Sequence, residues 1–324
     1  MLPGYVAGHY QFDEVHIDLR PLAQFAGARL YHDEALRIDT KNKTVICKSR
    51  PAVPYDVLSI NIGSTPQIGN ISGAAEFAVA VKPISQFVDR WKRFLDRLAA
   101  QTSPCKICVV GAGAAGVELI LSIQFRLKKM FEELGRNSVE LSYHLVSKSE
   151  QIMPSFPSAV ADRFDTILHE RGVIVHRGVE ATEACDGKLI LSNGDHLDAD
   201  ETFFVTAASA APWLTESGFD VDENGFVKVN DTLELLSHPN IFAAGDVAAV
   251  VNHPRPKAGV FAVRQGKPLA NNLRRVLLQK KPKSFSPQSS FLSLISSGDK
   301  YAVPTIGDLI ISPSVLTSKV SLLF

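Results

Sequence analysis

Residues Ile107 to Leu119 read ICVVGAGAAGVEL, an apolar, β-branched run that breaks into Gly111, Gly113 and Gly116 and then opens a helix. No other segment limits the fold so strongly. The spacing predicts a strand, a tight turn and a helix whose N-terminus faces a dinucleotide pyrophosphate. Gly111 allows the turn, Gly113 and Ala114 let backbone N–H groups approach the phosphates, and Gly116 lets helix and strand pack closely, with the helix end supplying partial positive charge. An α/β redox enzyme is the expectation. Because the motif follows a long N-terminal stretch, a second nucleotide partner has to be considered.

A chain of 324 residues is long enough for two cored domains. Lys+Arg and Asp+Glu are equal at 34 each, so overall charge gives no argument for nucleic acid or anionic lipid. No apolar run approaches the ~18 residues of a membrane span, which leaves a soluble chain or peripheral membrane contact. Cys47, Cys105, Cys108 and Cys185 are too scattered for a disulfide framework and fit a reducing intracellular compartment. Cys105 and Cys108 form a CxxC, yet Cys108 already lies in the strand leading to Gly111, where a buried apolar role suits it better than a redox pair. Localisation is not readable beyond that.

Along the chain, Asp18 is expected to cap a helix to Phe25. Strands follow at 28–31, 35–38 and 44–47, and another at 55–62 ends at Gly63-Ser64-Thr65-Pro66. Ser85 is expected to cap a helix to Ala100, burying Phe87, Trp91, Leu95 and Leu98 by their 3.6-residue spacing. After the glycine loop come a helix to Leu134, a strand over 139–146, a helix over 159–170 and a strand over 173–176. Asn193-Gly194 reads as a type I′ hairpin turn. A run over 202–206 enters the small residues Ala207-Ala208-Ser209-Ala210, much as at Gly63. The last clear elements are a short strand ending in Gly245-Asp246 and a helix from Ala258 carrying Phe261, Leu269, Leu273 and Leu277 inward, with a bend at Pro268. Beyond Lys280 no period is visible.

This order of parts, a small-residue crossing at 62–64, GxGxxG followed by Val117-Glu118, a second crossing at 207–210 and then AAGD, resembles the pyridine nucleotide–disulfide oxidoreductase superfamily. Within it the chain looks most like the branch of type II NADH dehydrogenases and sulfide:quinone oxidoreductases. MLPGYVAGHY, RPKAGVFAVRQGKPLANNL and GDKYAV are similar to the flavoprotein module that some organisms fuse to selenide, water dikinase. The resemblance covers residues 1 to about 303. It implies two Rossmann-like three-layer domains, the NAD(P)H domain inserted in an FAD domain. Residues 1–103 and 229–282 would form the FAD domain and 104–228 the NAD(P)H domain, with 283–324 as a C-terminal segment. In the family a first strand and a second GxGxxG, for the FAD pyrophosphate, precede the MLPGY segment. The resemblance therefore implies an incomplete FAD half and an N-terminally truncated chain, and the tail after Val303 matches nothing expected.

Several side chains acquire roles from this resemblance. Asp246, at the end of a buried strand after Gly245, suits a flavin ribityl hydroxyl, since a charge-assisted hydrogen bond there orients the ring; an N-cap aspartate is the plainer account. Gly63, Ser64 and Ala208 stand at the two crossings. Lys257, Gly259 and Val260 lead into a helix whose positive end points at the flavin in the family, although a solvated lysine is the commoner role. Glu118 would lie near the nicotinamide, against the alternative of an exposed first-turn glutamate. Type II NADH dehydrogenases carry two glutamines near the quinone where Val260 and Arg264 stand here, which weakens a quinone claim. Ser147 and Lys148 occupy the strand end where an acid would bind the ribose 2′-OH of NADH, which favours NADPH or no strong preference; Glu150 is close enough to keep NADH open. None of the nine histidines has a metal-ligand spacing, and His253 is the one nearest the expected flavin.

The resulting expectation is an FAD-dependent NAD(P)H oxidoreductase that passes electrons to a small acceptor, a quinone among the choices, with homodimerisation open and no nucleic-acid partner. The rival is a truncated, non-catalytic protein that binds NAD(P)H and does not retain FAD. Thiol or sulfide oxidation would need redox cysteines near the flavin, and the Cys105/Cys108 pair is in the wrong place.

Overall fold

The computed structural model describes residues 1–66, 71–82, 84–101, 103–136, 141–206, 208–307 and 309–310. They divide into two compact units, one formed by 1–17, 66–207 and 290–324, the other by 18–65 and 208–289. Of the four expected segments, 1–103, 104–228 and 283–324 are each split between these units. Residues 1–17 join the first unit because Val6, fully buried, belongs to the same core as the helix after the glycine loop.

The first unit is built on a five-stranded, all-parallel sheet in the order Val79–Ala80, Glu201–Phe204, Cys105–Val110, Leu141–Val146, Val173–His176. Side chains alternate between its faces, as the period of a strand requires. Ile107, Val109, Tyr143, Leu145 and Phe203 share a core with the helices Ile84–Ala100, Ala114–Glu133 and Ser158–Glu170, whereas Cys108, Val110, Val146 and Phe204 join a second core. That second core includes Leu189, Leu191 and Leu197 of an antiparallel meander, Ala181–Cys185, Lys188–Leu191 and His196–Asp198. Meander, sheet and helices make three layers. The helix over 84–100 buries Phe87, Trp91, Phe94 and Leu98, and Phe203 meets the rings of Phe87, Trp91 and Phe94 at centroid distances of 5.9, 6.1 and 6.1 Å.

Several expectations need correction. Asn193 does not take a left-handed conformation; Gly194 does, at φ 86°. Ile190 pairs with His196, and the Leu191 N–H donates to the Asp195 carbonyl, so the loop has three residues and needs positive φ only at its glycine. Residues 139 and 140 of the expected strand lie outside the described residues. The stretch after Lys280 is not patternless, since Leu292–Ser296 and Ala302–Ile306 form an antiparallel hairpin. This hairpin is fastened to the first unit by Gly298, at φ 88°, where a Cβ would stand 2.3 Å from the Leu121 carbonyl oxygen, and by Arg171, whose guanidinium reaches Asp299 at 2.7 Å.

In the second unit Asp18 caps the helix Leu19–Phe25, its carboxylate accepting from the Arg20 N–H. Strands Ala35–Asp39, Thr44–Cys47 and Val53–Pro54 form an antiparallel sheet. Residues 28–31 make no strand, because no neighbouring ladder meets them among the described residues. The strand expected over 55–62 is only Leu58–Ile60, limited by its three-residue parallel partner Ile241–Ala243. The helix Gly259–Leu277 buries Phe261, Gln265, Leu269 and Asn272, while Leu277 is 66% exposed and does not point inward as expected.

Two outcomes are expected. Phe203→Ala should cost about 3–5 kcal/mol, read as an early urea transition of the first unit by Trp91 fluorescence. His144 Nδ1 and His176 Nε2 share a hydrogen bond of 3.1 Å on the meander face, and burial pushes the His144 pKa from the usual 6.5 down to about 4. A depressed folded-state pKa stabilises the fold above 6.5, and that contribution is lost as pH falls towards 4. Urea midpoints should drop across this window, and less so in His144→Gln.

Candidate functional site

Where the strand Cys105–Val110 meets the helix Ala114–Glu133, the backbone can turn and pack as it does only because two side chains are missing, at Gly111 and Gly116. Gly111 takes φ +111°, and a Cβ on it would lie 2.4 Å from the Val205 carbonyl oxygen. A Cβ on Gly116 would lie 1.8 Å from the Gly111 carbonyl oxygen, so a glycine there is what lets helix and loop touch. Around Gly113 a Cβ would meet nothing within 4 Å, and this residue caps the helix with its own carbonyl accepting from Val117. It faces open space at the end of a helix whose first N–H groups lack intrahelical acceptors.

That space is a cleft of about 760 Å³ lined by Gly111 to Ala114, Ser147 to Ser149, Met153 to Phe156, Val179 to Thr182 and Val205-Thr206. The Met153 N–H donates to the Ala112 carbonyl at 2.8 Å and so fixes one wall to the glycine loop. The cleft fits a dinucleotide on its own geometry: a glycine cradle that a Cβ would fill, a helix N-terminus, and polar side chains one strand away. Ser147 is buried and donates to the Ser149 carbonyl at 2.7 Å, so its hydroxyl is already engaged. Lys148 is exposed and pairs with Glu180 at the same rim. Glu180, Thr182 and Thr206 were not singled out from sequence, since single polar residues in loops carry no period or spacing to mark them.

Glu118 does not line the cleft. It is half-buried rather than exposed, with Oε1 accepting the Ser296 N–H of the C-terminal hairpin at 2.8 Å, and burial raises its pKa against that bond. Cys105 and Cys108 are buried in the strand, and loss of solvent pushes both thiols up to about 12.

The second unit gathers the other singled-out residues. Gly63 has φ +73°, and the buried Ser64 donates from Oγ to Asp246 Oδ2 at 3.3 Å. Gly245, at φ +74°, donates its N–H to the buried Gln265 Oε1 at 2.6 Å, and a Cβ on it would fall 2.5 Å from Asn61 Oδ1. Gln265 therefore fixes the turn that presents Asp246, while Asn61 stands where a side chain at 245 would go, and sequence reading missed both. Near Ala208, Thr65 donates from Oγ1 to the Ser209 carbonyl at 3.3 Å, so the two small-residue crossings meet; Ala207 lies outside the described residues. Lys257 is not a solvated lysine. Its ammonium donates to the Ala248 carbonyl at 2.7 Å and lies 3.9 Å from the Phe226 ring centroid. Burial lowers its pKa, opposed by Asp222 and Asp246. Gly259 and Val260 open the helix beside this turn. The set suits a polyhydroxylated chain ending in an electron-poor ring, while the 324 residues contain one GxGxxG, that of the first unit.

The loop geometry separates two glycine substitutions. Gly116→Ala should destabilise the first unit by about 1–3 kcal/mol through overpacking, seen as a lower melting temperature. Gly113→Ala should leave melting nearly unchanged and weaken NAD(P)H binding measured by calorimetry. Both cysteines should resist iodoacetamide at pH 8 until the chain is unfolded.

Residues 13–266 match the family described as pyridine nucleotide-disulphide oxidoreductase. An NADH dehydrogenase-like protein of Bacillus subtilis is 23% identical over 67% of this chain and 57% of its own length. A type II NADH:quinone oxidoreductase of Staphylococcus aureus is 21% identical over 84% of the chain and 70% of its own length. Against the first of these the chain spans little more than half the relative's length. Among solved structures, the sulfide:quinone oxidoreductase of Aquifex aeolicus superposes with a TM-score of 0.74 at 19% identity, covering 94% of this chain and 77% of that one, a likeness of fold. FAD and NAD(P)H are the cofactors that this family implies. With most of its residues inside the family match, and with a glycine loop that admits no side chain at two of its three glycines, the chain belongs to the pyridine nucleotide-disulphide oxidoreductase family.

Proposed function

We propose that the chain is an FAD-dependent NAD(P)H oxidoreductase that passes electrons to a small acceptor, with a quinone as the acceptor class. The observation that carries this reading is the cleft at Gly111 to Ala114, which has the shape and backbone donors for a pyridine dinucleotide. The acceptor class rests on the relatives, which include an NADH:quinone oxidoreductase. Bound FAD would supply the hydride-accepting ring; the protein's part is positioning and electrostatics.

In this reading the N–H groups of Gly113 and Ala114 hold the NAD(P)H pyrophosphate, and Lys148 at the rim takes the ribose end. Lys148 is offered to a 2′-phosphate only in competition with Glu180, which already pairs with it. Discrimination for NADPH over NADH is accordingly modest. Glu118, which does not line this cleft, is held by Ser296 and serves in this reading to fasten the C-terminal hairpin. Ser64 and Asp246 would hold the flavin's ribityl hydroxyls, with Gly63 and Ala208 allowing close passage of the chain. Lys257, fixed over Phe226, and the helix opening at Gly259 and Val260 would stabilise negative charge on the ring.

Two measurements test this. The purified chain, supplied with FAD, should show flavin absorption that NADH or NADPH bleaches anaerobically; a colourless chain that still binds NAD(P)H would replace this reading with a non-catalytic binding protein. Lys148→Ala should raise KM for NADPH about tenfold through loss of one close charge and leave KM for NADH unchanged, whereas Glu180→Gln should lower KM for NADPH. Equal effects on both nucleotides would remove Lys148 from cofactor choice.

A further inference from the structure

The parallel sheet of the first unit ends differently on its two sides. One outer strand, Val79–Ala80, is only two residues long, whereas the other, Val173–His176, lies in the segment 172–176, which reads GVIVH. Outer strands of soluble proteins are ordinarily blunted by charged residues or proline, because an open edge pairs with other chains. This segment contains neither.

The His176 carbonyl accepts the Ser147 N–H, so the backbone groups of His176 and Ile174 face the strand Leu141–Val146. Those of Val173 and Val175 consequently point away from the sheet, where no strand meets them among the described residues. Ile174 is 50% exposed on the meander side. Between this edge and the helix Ser158–Glu170 runs a groove of about 470 Å³, lined by Val173, Val175, Asp165, His169 and Arg177. Arg177, at one end of the strand, pairs with Asp165. Glu170, at the other end, is exposed and has no ion pair among the described residues. The edge is thus apolar at its centre, cationic at one end and acidic at the other.

We propose that this edge is an interface for a second copy of the chain, the two strands Val173–His176 pairing antiparallel about a two-fold axis at Ile174. A two-fold contact requires a surface complementary to itself, and charge supplies that here. Reversing the strand carries Arg177 of each copy towards Glu170 of the other, at both ends and on the helical side. With Ile174 opposite its own copy, Val173 and Val175 of one chain face Val175 and Val173 of the other as hydrogen-bonded pairs, which uses every outward N–H and C=O of both residues. Ile174 then forms the close pair between them and covers apolar surface that water otherwise meets. An unrelated extended peptide would satisfy the same backbone groups, yet nothing would require it to offer an acid to Arg177 and a cation to Glu170 together. Because the strands are short, the interface is small, and dissociation should fall at roughly 10 µM. The inference concerns the first unit alone and does not rest on the activity proposed above.

Sedimentation velocity of the full chain between about 1 and about 200 µM should show a monomer–dimer equilibrium. Ile174→Asp sets two carboxylates on the axis and should weaken association about a hundredfold, with the melting temperature nearly unchanged because the side chain is half-exposed in the single chain. Glu170→Lys should weaken it about fivefold, as two exposed ion pairs turn into repulsion. Ile174→Cys gives a direct readout of register. The Cα atoms of a close antiparallel pair stand about 4.5 Å apart, within disulfide reach, so oxidised glutathione should join two copies covalently. Val263→Cys, at a residue 80% exposed in the second unit, should not be joined. A chain that stays monomeric over the whole range, a dimer that Ile174→Asp leaves intact, or equal cross-linking of the two cysteine variants would each overturn the proposal. Bleaching of the flavin by NAD(P)H reports on the enzymatic reading separately and should be the same in Ile174→Asp.

Discussion

The close approach of Gly116 to the Gly111 carbonyl is the constraint on which the first unit depends. It brings the helix Ala114–Glu133 against the strand Cys105–Val110 at its very start, so the helix N-terminus and the strand end open on one cleft. Val205 closes on Gly111 from the neighbouring strand end, and Met153 ties in the far wall. A methyl group at either of two positions would push these elements apart. The parallel sheet, the helical layer and the meander can be read as the frame that holds this contact, since their side chains alternate cleanly between two separate cores.

A comparable economy governs the second unit. Asp246 is presented by a turn that Gln265 holds and against which Asn61 leaves no room for a side chain at Gly245, and Ser64 reaches the carboxylate from the other small-residue crossing. None of these contacts involves an unusual residue. They come from a short strand, Ile241–Ala243, ending beside another, Leu58–Ile60, in parallel register. Lys257 shows how far context changes a side chain: a carbonyl, an aromatic face and burial turn an ordinary lysine into a fixed, partly desolvated charge.

Legibility in the sequence followed the strength of local signals. Gly111, Gly113 and Gly116 were readable because backbone geometry forbids most alternatives, and Phe87, Trp91 and Leu98 because a long helix repeats its period. Residues 28–31 and 55–62 misled, since β-branched and aromatic content marks a strand while its length is set by a partner elsewhere in the chain. Asn193-Gly194 misled because the turn type depends on the register of Ile190 with His196, which is not local. The hairpin over 292–306 was missed for want of alternation, its place being fixed by Gly298 and Arg171 across large sequence separations. Gln265 and Asn61 gave no signal, because the part an amide plays is defined by what it touches.

The fastening of that hairpin bears on how the molecule is made. Arg171 and Leu121 belong to the middle of the first unit, whereas Gly298 and Asp299 emerge from the ribosome more than a hundred residues later, after all of the second unit. During synthesis the helix carrying Glu118 must wait uncovered, its carboxylate hydrated and its flank accessible to chaperones. The turn of the hairpin therefore acts as a closing stitch, since none of its contacts to Arg171, Leu121 or Glu118 can form before the chain has been made past residue 299.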